Sequence, residues 1–184
     1  MLETVQFLFQ DLVRQVGTET GFAPLRKELG RLFLIDSSVI SLCLTRYRWA
    51  SFRETKSAIK VHLRLRLFPQ GVLPDACIIT PARKADKTQM DELIIDEKDA
   101  FNVFDRAYLD YKKFDDYCAK GIRFASRLKK NALVEVLREL PVTPASNIKR
   151  DCIIRLGKDG LTKMHHPLRR IETEDSEGKL VTII

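Results

Sequence analysis

The sequence predicts an α/β fold in which a mixed β-sheet carries helices on its faces. Apolar runs of strand character follow one another at 31–44, 58–68 and 75–80, which favours an antiparallel meander. A later strand–helix–strand unit, spanning 100–127, favours parallel pairing through a right-handed crossover. Strands of both kinds in one chain indicate a mixed sheet with flanking helices.

The N-terminal segment, residues 1–30, is predicted to be a helical lead-in. Gly17 and Gly30 are expected to end two helices, over 3–16 and 24–30. The first has four apolar residues at helical spacing, namely Val5, Leu8, Leu12 and Val16.

The clearest strand signal lies at 58–68, where apolar and polar residues alternate. One predicted face carries Ile59, Val61, Leu63, Leu65 and Leu67, and the other carries Lys60, His62, Arg64 and Arg66. The preceding run, 31–44, is rich in Leu, Ile and Val and suits a buried strand. After a turn at Pro69 and Gly71, a short strand is expected at 75–80.

The second half of the chain combines helices with further strands. Residues 88–94 are expected to be helical, 100–104 to form a strand, and 109–120 to form a helix that Gly121 ends. A fifth strand is predicted at 122–127. Beyond Pro141 and Pro144 the pattern becomes β-rich, with strand-like stretches at 151–156, 168–173 and 179–184. These changes divide the chain into a lead-in (1–30), an α/β core (31–134) and a β-rich region (135–184).

The composition of the chain limits the classes of function that are expected, but it does not identify one. The net charge of +7 is uneven, since residues 45–70 hold 7 basic and 1 acidic side chains. Basic segments favour a polyanionic partner such as nucleic acid, although a solvated basic surface gives the same pattern. The cysteines Cys43, Cys77, Cys118 and Cys152 lack zinc-ligand spacing and are expected to be reduced core thiols. Without a membrane-length apolar run or a signal peptide, the expected compartment is the cytoplasm.

Two acidic residues stand at strand positions where metal ligands often lie. Asp36 interrupts an apolar strand, where a buried carboxylate would need a partner, and Asp105 directly follows the run FNVF. Carboxylates from neighbouring strands can converge on one Mg²⁺. Alternatively, Asp36 begins a turn through Ser37 and Ser38, and Asp105 caps the helix that follows.

The sequence around these acids resembles that of bacterial insertion-sequence transposases of the DDE class (insertion sequence family four and its relatives). LIDSSVISLCL and the basic strand after it resemble the first acidic region, with Lys56, Lys60 and His62 in its Lys-x-x-x-Lys-x-His pattern. FDRAYLDYKKFDDYCAKGIRFASRLKKNA resembles the second acidic region. The matching residues there are Asp105, Arg106, Ala107, Tyr108, Gly121, Ile122, Arg127 and Lys129.

This resemblance implies a ribonuclease H-like fold, with a β-rich insertion after the fifth strand that is only begun here. It also implies Mg²⁺-dependent phosphodiester hydrolysis and strand transfer, with Asp36 and Asp105 as catalytic metal ligands and Mn²⁺ as a possible substitute. The partners implied are transposon ends and target DNA, and the expected assembly is a nucleoid-associated synaptic complex that can contain several copies of the chain. The residues expected to contact DNA are Lys56, Lys60, Arg106, Arg127, Lys129 and Lys130.

One departure from the family concerns its third acid, a Glu in a Tyr-x-x-Arg-x-x-x-Glu signature. No such signature follows any of the tyrosines Tyr47, Tyr108, Tyr111 and Tyr117. We therefore expect a C-terminally truncated transposase, inactive alone, whose last strand exposes an unpaired edge. The alternatives are an inactive DNA-binding remnant and another ribonuclease H-like nuclease.

Several other residues are assigned simple structural roles. Trp49 is expected in the core, and Arg64 and Arg66 on a solvated or DNA-facing side of the sheet. His165 and His166 are adjacent and are not expected to bind metal. Surface or capping roles are expected for Asp86, Asp110, Asp115 and Asp116.

Overall fold

The structure is a computed structural model that describes residues 11–12, 15, 30–53, 56–69, 71–144, 146–160 and 162–184. The helices expected at 3–16 and 24–30 lie almost wholly outside the described residues. The chain forms two compact units, Met1–Val103 and Phe104–Ile184. The predicted division of the chain at residues 30 and 134 stays a prediction.

The first unit is built on a β-sheet. Its strands are β1 (Arg31–Leu42), β2 (Ser51–Arg53), β3 (Lys56–Phe68), β4 (Gly71–Pro81) and β5 (Ala100–Phe104), the last residue of which opens the second unit. Short 3₁₀ helices span Arg48–Ala50 and Asp86–Gln89, and the second of these leads into helix α1 (Met90–Leu93). The predicted order of strands and helix in this unit is confirmed.

Strand β3 is the centre of this sheet. It pairs antiparallel with β1 on one side, from Leu32↔Leu67 to Leu42↔Ser57, and β1 has β5 as its other neighbour. β2 and β4 both pair antiparallel with β3. The predicted antiparallel meander of the three long strands is therefore confirmed, and the fold is mixed α/β.

Strand β4 is longer than the sequence predicts, because it begins at Gly71 and runs through Pro74. Proline cannot donate to a ladder and is normally confined to edges and bulges. The pairing of β4 with β3 shifts register between Arg64 and Leu65, opposite this proline. The bulge allows the strand to continue through a residue that sequence rules treat as its limit.

The polar face of β3 is covered, contrary to expectation. His62 is fully buried, and Arg64 donates to Asp75 and to the carbonyl of Leu93 in α1. The guanidinium of Arg64 also lies 5.8 Å from the ring centroid of Phe33. The expectation of a solvated or DNA-facing Arg64 is wrong, because its charge is satisfied within the unit.

The second unit begins with a 3₁₀ helix, Arg106–Tyr108, and helix α2 (Tyr111–Lys120). The helix starts two residues later than predicted, because Leu109 is extended and Asp110 is the N-cap, accepting from the Lys113 N–H. It ends as predicted at Gly121, whose φ is +73°. The aromatic residues Phe104, Tyr108, Phe114, Tyr117 and Phe124 pack around this helix.

After β6 (Arg123–Ser126), the β-rich region forms a four-stranded antiparallel sheet. Its strands are β7 (Val134–Glu139), β8 (Ile148–Leu156), β9 (Leu168–Glu174) and β10 (Leu180–Ile183), in the order β10-β9-β8-β7. The β-rich character is confirmed, although the sequence does not predict β7. Cys152, Ile154 and Leu156 of β8 are fully buried.

The expectation of an unpaired last strand is wrong. β10 pairs with β9 on one side, and on the other side the residues 182–184 bond to the end of β6 and the two residues after it. Ser126 and Ile184 bond reciprocally at 2.9 Å, and the Leu128 N–H donates to the Thr182 carbonyl. Among the described helices, none has the length and apolar character that crossing a bilayer requires.

Candidate metal and nucleic-acid site

Asp36 lies on β1, at the point where burial along the strand stops. Phe33 and Ile35 are almost completely buried, whereas Asp36 is exposed. The expected burial of this carboxylate is therefore wrong, because strand alternation turns it to the face opposite Ile35. Its Oδ1 accepts the N–H of Ser37 at 2.7 Å, which fixes the orientation of the carboxylate.

Asp105 lies directly after β5, as predicted, and it is exposed. Its side chain accepts the N–H of Arg106 at 2.6 Å and so caps the short 3₁₀ helix. The capping alternative is thus correct for this turn, while Asp110 caps α2 itself. A single N–H occupies one carboxylate oxygen only, so capping and metal binding are compatible.

Both carboxylates fit a divalent cation chemically. Each accepts one backbone N–H at Oδ1, and both residues are exposed. Mg²⁺ prefers oxygen ligands and keeps several waters, so two exposed carboxylates suit it. Within the part of the chain that the structure describes, no group of three or more His, Cys, Asp or Glu side chains is arranged to hold a metal.

A third carboxylate, that of Asp86, is hydrogen-bonded to β1 next to Asp36. It accepts the hydroxyl of Ser37 at 2.7 Å, lies 3.1 Å from the Lys60 ammonium, and lies 3.6 Å from Nδ1 of His62. Its side chain is only 15% exposed. The expected surface or capping role of Asp86 is wrong, and an aspartate in a polar loop gives no sequence signal for such contacts.

Burial lowers the pKa of His62; Asp86 acts in the opposite direction and Lys60 adds to the lowering. The ring is therefore neutral near pH 7. Its Nε2 lies 3.1 Å from the Thr80 hydroxyl, which gives the neutral imidazole a partner.

The basic residues expected to meet DNA differ in accessibility. Lys56, Arg106, Arg127, Lys129 and Lys130 are exposed. Lys60 is only 12% exposed, and its ammonium bonds to Asp86 and to the Lys84 carbonyl. DNA contact by all six stays a prediction, and Lys60 would have to exchange internal partners to make it.

Other assignments change with the structure. Trp49 is 59% exposed, so its predicted core position is wrong, and Cys43 is exposed rather than buried. Asp115 is not a simple surface acid, because it accepts the backbone N–H groups of His165 and His166. His166 Nδ1 also lies 2.9 Å from this carboxylate.

Comparison with known proteins identifies the class. The transposase DDE domain family matches residues 27–181, and the chain belongs to that family. The predicted resemblance to DDE transposases is confirmed, and the roles of the residues in the two acidic regions stay predictions. Proteins of this family use divalent metal ions.

Individual relatives add detail. The chain is 29% identical over 189 residues to "Putative transposase y4zB" of Sinorhizobium fredii (strain NBRC 101917 / NGR234), with 99% of this chain and 49% of that protein covered. The chain thus spans about half the length of this curated relative. A cryo-EM structure of the piggyBac transposase synaptic complex with hairpin DNA is 10% identical, with a TM-score of 0.45, covering 83% of this chain and 32% of that chain.

Proposed function

We propose that this transposase domain performs metal-dependent phosphodiester chemistry on DNA, with Asp36 and Asp105 as ligands of a shared Mg²⁺. The observation that carries the proposal is the placement of both acids. Asp36 lies on β1 and Asp105 directly follows β5, both are exposed within the matched range, and each accepts one backbone N–H at Oδ1. The neighbouring positions of β1 and β5 support a common ligand set from a ribonuclease H-like sheet.

Asp36 and Asp105 would hold the ion, which would supply Lewis-acid chemistry for a displacement at phosphorus. The protein's own contribution is orientation. The N–H of Ser37 holds the Asp36 carboxylate, and the N–H of Arg106 holds that of Asp105. Such backbone contacts limit the rotamers of a ligand without occupying its second oxygen.

The proposed partner is DNA, recognised mainly through its phosphates. Exposed Lys and Arg side chains neutralise phosphates in a sequence-independent way. The residues proposed for this role are Lys56, Arg106, Arg127, Lys129 and Lys130, with Lys60 more restricted by its bond to Asp86. Transposon ends and target DNA are the proposed substrates, and assembly of copies in a synaptic complex is proposed with them.

The shared-ligand proposal is tested by titrating the chain with Mn²⁺, followed by electron paramagnetic resonance. We expect Asp36→Asn and Asp105→Asn each to weaken binding by about tenfold or more, because each removes a charged ligand. Asp116→Asn is the matched control, since Asp116 is an exposed acid on α2. Unchanged binding in either ligand variant, or equal weakening in the control, would contradict the assignment.

A non-catalytic DNA-binding role is the second candidate. It is favoured by exposed basic side chains, which can bind phosphates without any metal chemistry. In this case the domain binds DNA through its phosphates and does not cleave at transposon ends. The test is an assay on DNA carrying the element's ends, with Mg²⁺ and with Mn²⁺. End-specific cleavage that Asp36→Ala abolishes would favour the catalytic role.

A further inference from the structure

Asp86 and Ser37 form a connected pair on the face of β1 opposite Asp36. In the antiparallel pairing of β1 with β3, Ser37 lies across from His62 and Val39 lies across from Lys60. Residues paired in this way share a face, and successive residues along β1 alternate between faces. Ser37 therefore points toward Asp86, and Asp36 points away from it.

Two hydrogen bonds connect Asp86 to the Asp36 carboxylate through one residue. The Ser37 hydroxyl donates to Asp86 Oδ1 at 2.7 Å, and the Ser37 N–H donates to Asp36 Oδ1 at 2.7 Å. The first bond fixes the position of Ser37 relative to the 3₁₀ helix that carries Asp86. The second bond fixes the rotamer of Asp36 relative to Ser37.

Asp86 is well suited to hold a fixed position. Its side chain is 15% exposed, and the Lys60 ammonium at 3.1 Å compensates the negative charge. A charge-assisted hydrogen bond to a hydroxyl is stronger than one between neutral groups. Asp86 is therefore held in a partly buried ion pair with Lys60, unlike an acid on the open surface.

We propose that Asp86 is a positioning residue for the divalent metal ligand Asp36, and that it acts through Ser37. The inference rests on the proposed function, because it assumes that Asp36 binds the ion. Asp86 itself does not contact the ion. Its contribution is to hold the β1 backbone at 36–37 so that the carboxylate of Asp36 is oriented before the ion binds.

The test is the Mn²⁺ affinity of the chain in a double-mutant cycle. Ser37→Ala and Asp86→Ala are each expected to weaken binding by about tenfold, the effect typical of partners that orient a ligand. The double variant should bind as the single variants do, since both changes break the same connection. Ser37→Thr, which keeps the hydroxyl, is expected to restore most of the affinity.

Asp75→Ala is the matched control. Asp75 is a partly exposed acid of the same sheet, and it pairs with Arg64 on β3. Its removal costs an ion pair of the same unit without touching Ser37, so Mn²⁺ affinity should stay at the wild-type value. If Asp86→Ala does not fold, Ser37→Ala alone carries the test, because it removes a single hydroxyl.

The possible outcomes separate the two proposals. Weaker binding in Asp36→Asn together with wild-type binding in Ser37→Ala and Asp86→Ala overturns the positioning role and leaves the proposed function intact. Equal weakening in Asp75→Ala also overturns the positioning role, since general loosening of the sheet would then be the cause. Wild-type binding in Asp36→Asn itself overturns both proposals.

Discussion

At the residue scale, single carboxylates organise the parts of this domain that sequence patterns describe least well. Asp115 holds the segment at 165–166 to α2 through two backbone N–H groups and the ring of His166. Asp86 has a comparable role in the first unit, with Ser37 and Lys60 as partners. Both residues are ordinary polar-segment aspartates in the sequence, because hydrogen bonds between residues far apart along the chain leave no local pattern.

The Asp115 contacts predict a measurable loss of stability. Asp115→Ala would leave two backbone donors without their acceptor, at a cost of about 2 kcal/mol in the free energy of unfolding. Asp116→Ala is the control, because its neighbouring side chain is exposed. Urea denaturation of the two variants checks this, and equal midpoints would show that the Asp115 contacts add nothing to stability.

The same carboxylate predicts acid sensitivity. Burial acts to raise the pKa of Asp115, but the donors of His166 and His165 outweigh it and leave this pKa below its ordinary value. A carboxyl group of this kind stabilises the fold above its unfolded-state pKa and loses that contribution as pH falls through the native value. Asp115→Asn should therefore flatten the loss of stability below about pH 4, where the unfolded carboxyl titrates. An unchanged slope would rule out this contribution.

His62 gives a separate pH window. The pKa of His62 lies below its ordinary value of 6.5. As the pH falls, the imidazole is therefore protonated in the unfolded chain before it is protonated in the folded chain. Stability should be full above about pH 6.5 and should decline as the pH falls below that value. His62→Gln should remove the decline between about pH 7 and pH 5, as measured by urea denaturation. The same slope in the variant and the wild type would contradict the neutral, buried state of this ring.

At the element scale, strands with strong alternation or continuous apolar character are predictable, and short or exposed strands are not. β3 and β5 follow directly from their patterns, as does the end of α2 at Gly121. β7 escapes prediction because Val136 and Leu137 are adjacent, which breaks the alternation of apolar and polar residues; both side chains are 41% exposed. β2 has three residues, which is too short for any periodicity to be read.

Two glycines with left-handed backbones predict unequal costs. A Cβ at Gly121 (φ +73°) meets nothing within 4 Å, whereas a Cβ at Gly157 (φ +95°) would lie 2.1 Å from the carbonyl oxygen of Thr162. Gly121→Ala should cost about 1 kcal/mol from backbone strain alone. Gly157→Ala should cost clearly more, because backbone atoms must also move. Thermal unfolding of both variants measures the difference, and equal losses of stability would contradict the close approach at Gly157.

At the scale of the whole molecule, the α/β class, the order of the main elements and the β-rich second half can be predicted from sequence. Element order follows from local patterns, but the covering of a sheet face does not. The sequence predicts that the polar face of β3 is solvated. In the structure, the segment 86–93 covers this face and supplies partners for Lys60, His62 and Arg64. Asp36 and Asp105 both lie on exposed parts of the fold. In the sequence, only the family pattern distinguishes these two acids from the other aspartates.

The net charge of +7 predicts salt-dependent DNA binding. Replacing Lys56, Lys129 and Lys130 together with Ala should reduce the slope of log affinity against log salt by about 0.9 for each phosphate that the protein no longer neutralises. The matched control replaces Lys98, Lys112 and Lys120, which are also exposed and remove the same charge. Fluorescence anisotropy on a labelled duplex at several salt concentrations measures both slopes. Equal slopes in the two variants would assign the effect to overall charge rather than to the proposed DNA-binding residues.

The most direct test of a metal shared by Asp36 and Asp105 is metal-directed cleavage of the polypeptide. Fe²⁺ bound in place of Mg²⁺, with ascorbate and peroxide, generates radicals that cut the chain next to the ion. A shared ion predicts cuts near residue 36 and near residue 105, both suppressed by excess Mg²⁺ and both abolished in Asp36→Asn. Cuts near one of these residues only, or cuts near Asp105 that persist in Asp36→Asn, would contradict the shared site.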